Sequence, residues 1–255
     1  MMLLTDPKAA RRLFEPIRDG ILRSAFECGF GAVWADDDRS PASAAAVVGD
    51  YCFLGGKPDL LIASCVPADR AVTVIAGEDW FDVLREIFHR NAEASVRYQT
   101  KKISWFNIKK LLRIVRRLDE KFSVCLLGRE EFGELKDGEW SSAVLSAYFD
   151  FDTFAENSFG FVIKTNGETV SAAAGYAPCV GGNSLFAATK PELRGQGLAT
   201  SASAMFISEC CRRGIYPYFT AEDKISLEMS KTLGYIFRTG QICYRTSPLA
   251  EKTDV

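Results

Sequence analysis

The stretch of this chain with residue types and spacing suited to chemistry is Phe186-Ala187-Ala188-Thr189-Lys190-Pro191-Glu192-Leu193-Arg194-Gly195-Gln196-Gly197-Leu198-Ala199-Thr200. An apolar, strand-like run enters a glycine-bearing loop that becomes the first turn of a helix. Free backbone N–H groups and the positive end of the helix dipole therefore converge on one spot. Such a spot binds anions, phosphate included. Gly195 and Gly197 let a ligand approach the backbone with no Cβ in the way, and Arg194 adds a positive charge. Other phosphate loops fail on spacing. The run Gly-x-x-x-x-Gly-Lys-Ser/Thr does not occur, and Gly-x-Gly-x-x-Gly is imitated only at Gly195 and Gly197, with Thr200 in the third glycine position. Gly-x-Gly ahead of a helix is also ordinary turn chemistry, so the loop needs support from elsewhere.

That support comes from order and spacing. Arg194-x-x-Gly197-x-Ala199 resembles the Arg/Gln-x-x-Gly-x-Gly/Ala signature of the GNAT N-acetyltransferase superfamily. Lys231-Thr232-Leu233-Gly234-Tyr235 resembles that family's second motif, which follows a strand and is usually preceded by Asn-x-x-Ser/Ala. The resemblance covers 185–235 and extends over about 122–245. Gly49-Asp50-Tyr51-Cys52-Phe53-Leu54, Arg97-Tyr98 and Glu139-Trp140 are similar to a two-part bacterial subgroup with an extra N-terminal α/β domain. The fold implied is α/β, with a GNAT acyl-CoA N-acyltransferase fold built on a mixed sheet in 121–255 and an N-terminal α/β domain in 1–120.

The resemblance implies acetyl-CoA as co-substrate. The backbone of Ala187, Ala188 and Thr189 would lie along its pantetheine arm, and Arg194, Gly195, Gln196, Gly197, Leu198, Ala199 and Thr200 would hold its pyrophosphate. Asp223 and Ser226 would contact the coenzyme where the family has Asn-x-x-Ser. It implies direct attack of an amine on the thioester, which needs a base, a donor for the carbonyl oxygen and an acid for the thiolate.

This sequence departs from the family on catalysis. Asn183-Ser184-Leu185-Phe186-Ala187-Ala188 lacks the glutamate that many relatives use as base, and Glu192 is the nearest carboxylate. Ser230 occupies the position of the tyrosine acid, leaving Tyr218 or Tyr235 as substitutes. Asp223 also reads as a plain helix cap. Two classes of function stay open: an enzyme acetylating a small-molecule or peptide amine, and a GNAT-fold protein that binds acyl-CoA as a sensor or interaction module without turnover. A third reading is a plain α/β protein with a glycine turn. Glu222, Asp223 and Glu228 could attract a cationic amine, while Arg97, Tyr98 and a basic helix after Ile108 could shape an acceptor cleft.

Bulk properties narrow the partners. The 255 residues carry 31 Lys+Arg against 33 Asp+Glu, so no global field favours nucleic acid. Lys101-Lys102 and Lys109, Lys110, Arg113, Arg116 and Arg117 cluster, but with Ile108, Leu111, Leu112, Val115 and Leu118 they read as the solvated back of an amphipathic helix. Neither a membrane-spanning run nor a signal pattern is present, so neither a membrane nor a nucleic-acid partner is expected and the expected location is cytoplasmic. Eight cysteines without Cys-x-x-Cys spacing read as reduced core residues, and the lone His89 cannot build a histidine-rich metal site. No metal is expected. Scattered charge does not separate a monomer from a dimer.

The elements that must position the loop follow from periodicity and turns. Asp6-Pro7 and Pro16 open two helices, the second running through Phe26. Asp36-Asp37-Asp38-Arg39-Ser40-Pro41 is an exposed loop. Strands are expected at 51–54, 71–76, 96–105 and 122–127, and helices at 79–91 and 108–118. A short helical stretch follows 137–140. Asn166-Gly167 between the apolar runs 159–164 and 170–176 signals a hairpin, since both turn residues must adopt positive φ. Strands at 185–189, 216–220 and 241–245 then alternate with helices at 198–213 and 224–233.

Overall fold

The computed structural model describes residues 1–248. In chain order the elements are β1 (Met2–Leu3), α1 (Gly20–Glu27), β2 (Ala32–Ala35), β3 (Ser43–Val48), β4 (Tyr51–Gly56), α2 (Leu60–Ala63), β5 (Val72–Ile75), α3 (Phe81–Phe88) and β6 (Ala92–Lys101). There follow α4 (Ile108–Val115), β7 (Ser123–Leu126), α5 (Arg129–Asp137), α6 (Phe151–Asn157), β8 (Gly160–Thr165), β9 (Glu168–Cys179) and β10 (Gly182–Thr189). The chain ends with α7 (Leu198–Arg213), β11 (Tyr216–Tyr218), β12 (Thr220–Ala221), α8 (Lys224–Leu233) and β13 (Ile236–Thr246). The expected α/β class with mixed sheets is borne out. The chain forms two units, Met1–Arg97 with the chain from Gly240 onward, and Tyr98–Thr239. The sequence reading set the divide at 120/121.

In the first unit β1, β2, β3 and β4 run antiparallel in order, β5 lies parallel to β4, and β13 pairs antiparallel with β5 through Tyr244–Val74 and Thr246–Val72. Trp80, Leu84 and Phe88 pack with Leu54, Ile62 and Tyr244 as one apolar core. The Arg97 guanidinium and the Asp19 carboxylate lie 3.0 Å apart with both side chains 1% exposed, and Arg97 also stacks 4.8 Å from the Tyr51 ring. Arg97 is thus a buried structural ion in this unit. A cleft-lining role expected of it does not suit that burial.

The second unit centres on a five-stranded sheet, β11-β10-β9-β8-β7. Asn166 (φ 50°) and Gly167 (φ 81°) make the tight turn between β8 and β9, as the Asn-Gly signal requires. Helix α7 buries Leu198, Ala202, Phe206, Ile207 and Cys210 in a core shared with Leu111, Phe159, Ile163 and Leu185. Its Ala and Ser residues let the helix lie close to the sheet, and Leu198 pins its first turn.

Several boundaries differ from expectation for local reasons. Pro7–Phe14 winds as a 3-10 helix, and the helix expected from Pro16 begins at Gly20, where the Asp19 carboxylate accepts the Ile21 N–H at 2.8 Å. The strand expected at 96–105 runs Ala92–Lys101. The helix expected at 79–91 starts as a 3-10 turn and stops at Phe88; His89 is exposed with φ 53°. All eight cysteines are free thiols, but Cys28 and Cys211 are exposed, which corrects the expectation of a core role for those two.

Candidate functional site

Every helix must satisfy the N–H groups of its first turn. Asp19, Asp59, Asn107, Asp150 and Asp223 do so for α1, α2, α4, α6 and α8 through side-chain oxygens 2.7–3.0 Å from a backbone nitrogen. Helix α7, 16 residues long, has Gly197 as its N-cap and no side-chain cap. The first helical bond runs from the Ser201 N–H to the Gly197 carbonyl at 2.9 Å, so the N–H groups of Leu198, Ala199 and Thr200 precede the helical ladder. Gly195 (φ 79°) and Gly197 (φ 76°) take left-handed conformations, and a Cβ built on either would meet nothing within 4 Å. The loop is therefore open where a ligand would sit. Arg194 donates from Nε to the Thr189 carbonyl at 3.3 Å, which ties the loop to the end of β10, and its side chain has no acidic partner among the described residues.

The strand that feeds this loop is the second half of the site. β10 pairs with β9 along its whole length, from Gly182–Cys179 to Thr189–Ser171. Its parallel register with β11 covers Gly182–Tyr216, Asn183–Pro217 and Ser184–Tyr218. Beyond Ser184 the two strands part. The register of β10 against β9 shifts between Ser184 and Leu185, the sign of a bulge. What draws the other strand away is visible in the same unit: Thr220 and Ala221 of β12 pair with Gln99 and Tyr98 of β6, and the Thr100 hydroxyl donates to the Phe219 carbonyl at 2.6 Å. The β11-facing edge of 185–189 is left without a strand partner. Ser171 steadies the far end, donating from Oγ to the Ala188 carbonyl at 2.8 Å and lying 2.7 Å from the Thr189 hydroxyl.

An uncapped helix start behind a glycine loop thus lies beside a strand that parts from its neighbour. A family model described as GNAT acetyltransferase matches residues 11–244. The chain belongs to the GNAT acetyltransferase family. The chain is similar to the crystal structure of a GCN5-related N-acetyltransferase-like protein from Streptococcus suis 89/1591, with 28% identity, a TM-score of 0.89, and coverage of 94% of this chain and 98% of that one. A putative acetyltransferase from the GNAT family of Novosphingobium aromaticivorans shares the fold at 13% identity and a TM-score of 0.58, covering 92% of this chain and 100% of that one. A GCN5-related N-acetyltransferase from Kribbella flavida does so at 14% identity and 0.54, covering 96% and 98%. No curated protein matches the chain.

Within this GNAT unit the candidates for chemistry fall in different places. Ala187, Ala188 and Thr189 lie on the parted edge of β10, and 194–200 form the loop and first turn of α7. Asp223 and Ser226 bind each other: Asp223 Oδ1 accepts the Ser226 N–H at 2.7 Å, and Ser226 Oγ accepts the Asp223 N–H at 3.0 Å. They form a capping box for α8. Glu192 is exposed on the 3-10 turn Pro191–Leu193. Ser230 is fully buried and donates to the Leu227 carbonyl within its own helix at 2.7 Å. The Tyr235 hydroxyl donates to the Pro217 carbonyl at 2.7 Å, and burial holds its pKa well above the ordinary tyrosine value. Tyr218 is half-buried opposite Ser184, its ring lying where a Cβ on Gly182 would come within 2.4 Å of Cε2.

Sequence reasoning missed the bulge at Ser184/Leu185, the tether from Thr100 to Phe219, and a buried polar cluster on β10. There Tyr148 and Ser158 both donate to the Gly175 carbonyl, at 3.0 and 2.8 Å, and Asn183 Nδ2 donates to Ser158 Oγ at 3.0 Å. The cluster fixes the start of β10 and leaves Asn183 Oδ1 and Ser184 Oγ buried without a protein partner. Among the described residues no group of His, Cys, Asp or Glu could hold a metal, and no helix is long and apolar enough to cross a membrane.

Proposed function

We propose that this chain transfers an acetyl group from acetyl-CoA to an amine by direct attack. The observation that carries the reading is the coincidence of two open features on consecutive elements: the uncapped start of α7 and the parted edge of β10. The pyrophosphate would accept hydrogen bonds from the N–H groups of 195–200, with Arg194 supplying charge. The pantetheine amides would pair with the edge of Ala187–Thr189 as a strand would. The thioester would then lie near Ser184 and Leu185, where a backbone N–H at the bulge would polarise the carbonyl oxygen as negative charge develops there. The amine nitrogen bonds to the carbonyl carbon, the C–S bond breaks, and coenzyme thiolate leaves; the proton lost by the amine restores the thiol.

A second reading has its own observation. β10 bears no carboxylate, and the hydroxyls of Ser230 and Tyr235 are committed to backbone carbonyls. A protein so equipped could bind acyl-CoA as a sensor without turning it over. Calorimetry with acetyl-CoA and desulfo-CoA, followed by an acetylation assay on an amine panel, separates the two. Binding that weakens about tenfold in Arg194→Ala, with product formed, supports the transferase, since losing one charge-assisted contact costs about 1.4 kcal/mol or more. Binding without product supports the sensor. No binding to the folded wild type removes both.

A further inference from the structure

A cavity of about 480 Å³ opens at the end of the β10/β11 pair opposite the coenzyme loop. Lys102, Trp105, Phe106, Tyr216, Cys211 and Gly181 are among the residues that line it, and its lining contains no carboxylate. The size suits a small ligand. A second cavity of about 470 Å³ on the other side of the 103–107 segment is lined by Lys110 and likewise has no acidic residue. Trp105 lines both and is 72% exposed.

The charged residues that line the two cavities, Lys102 and Lys110, are both cationic. Lys102 holds its ammonium 5.3 Å from the Tyr216 ring centroid and 5.9 Å from that of Tyr218, rings that themselves meet at 4.8 Å. It makes no ion pair among the described residues. Lys109, Lys110, Arg113, Arg116 and Arg117 on α4 and its following turn also make none. In a chain with net charge −2, Lys102 is thus an uncompensated cation against aromatic walls, with further unpaired cations on the neighbouring helix. By contrast, Glu209, nearby on α7, is already held by Arg212 and Arg213 at 2.6 and 2.7 Å.

We propose that this aromatic-walled cavity recognises the anionic end of the acceptor, so that the substrate class is an amine carrying a carboxylate, sulfonate or phosphate. The proposal rests on the acetyl-transfer reading and deepens it. Gly182 opposite Tyr216 marks the cavity end of the paired strands and Ser184 opposite Tyr218 marks where they part, two strand steps or about 7 Å further on. An acceptor with its anion on Lys102 and its amine toward the parting would span that distance. This reading differs from the expectation that Glu222, Asp223 and Glu228 attract a cationic amine.

Cys211 gives a test that needs no turnover. In a Cys28→Ser background, the rate of thiol exchange at Cys211 is measured with dithiobis(2-nitrobenzoate), an aromatic dianion, and with neutral 2,2′-dithiodipyridine, the modified residue being identified by mass spectrometry. Both reagents require the thiolate, so their rate ratio cancels any change in the thiol's pKa. Lys102→Gln is expected to lower the ratio several-fold, while Lys101→Gln, which does not line the cavity, leaves it unchanged. An unchanged ratio in Lys102→Gln overturns the anion site. The second arm acetylates 6-aminohexanoate, hexylamine and 1,6-diaminohexane, with that order of kcat/KM expected and the carboxylate advantage lost in Lys102→Gln. Preference for the diamine overturns the acceptor role. Failure to bind acetyl-CoA while the thiol ratio still responds to Lys102 sinks the transferase reading, and the acceptor role with it, but leaves the anion site standing.

Discussion

Helices α7 and α8 both follow a strand of the second unit, yet they begin in opposite ways. α8 caps its own first turn with side chains: Asp223 and Ser226 exchange hydrogen bonds in a capping box. α7 begins on a left-handed glycine, with no side chain to cap it, and runs 16 residues against the 10 of α8. A helix that caps itself is finished as structure, whereas a helix left open asks its ligand to complete it. The Asn-x-x-Ser slot of the family therefore serves the fold here, and on the proposed reading the Arg-x-x-Gly-x-Ala slot is the one that would serve a coenzyme.

Gly197→Asp attacks that contrast most directly. A carboxylate at the N-cap position can accept the orphan N–H groups and repels phosphate, and aspartate tolerates left-handed backbone better than other acidic choices. Acetyl-CoA affinity measured by calorimetry should fall at least ~100-fold, while the thermal midpoint changes little. Retained affinity would mean that the pyrophosphate lies elsewhere. Asp223→Ala sharpens the other side. Loss of the cap should cost about 1 kcal/mol, read as a drop of about 2–4 °C in the midpoint, with coenzyme affinity unchanged. A large loss of affinity would return Asp223 to the site.

The smallest effect is expected at the far end of α7. Hydrogen bonds from Arg212 and then Arg213 hold the Glu209 carboxyl at about 2, below its ordinary value. A group whose folded pKa is depressed contributes stability above its unfolded pKa of about 4.3, and that contribution is lost as pH falls toward 2. Solvent screens these exposed partners, so the term is about 0.5 kcal/mol. Urea midpoints measured from pH 6 to pH 2.5 should therefore fall slightly less steeply in Glu209→Gln than in the wild type. An equal slope would show that the ion pairs add nothing.

How far the sequence could be read depended on the range of the forces involved. The Asn166-Gly167 turn, the glycine loop and both α7 and α8 were legible because turn chemistry and helix periodicity act over a few residues. β2 and β3 went unread, since runs such as Ser43-Ala44-Ala45-Ala46 favour helix by propensity and become strand only through burial against β4. α5 was missed for its charge: of nine residues only Phe132 and Leu135 are buried. The parting of β10 from β11 was out of reach, because it is set by pairing with Tyr98 and Gln99, more than a hundred residues back in the chain. The missing carboxylate on β10 was visible as an absence, and nothing local named a replacement.

The parted edge of β10 also carries a hazard for the free protein. A row of unpaired backbone groups is a template for a foreign strand, and the short run 185–189 is bounded at its end by Lys190, whose ammonium pairs with Glu168, and then by Pro191. A charge and a ring without an N–H stop any added strand from growing past the loop. On the proposed reading, occupancy by a coenzyme arm would close the rest, so the coenzyme-free protein would be the more self-adhesive form and coenzyme supply would act on its solubility.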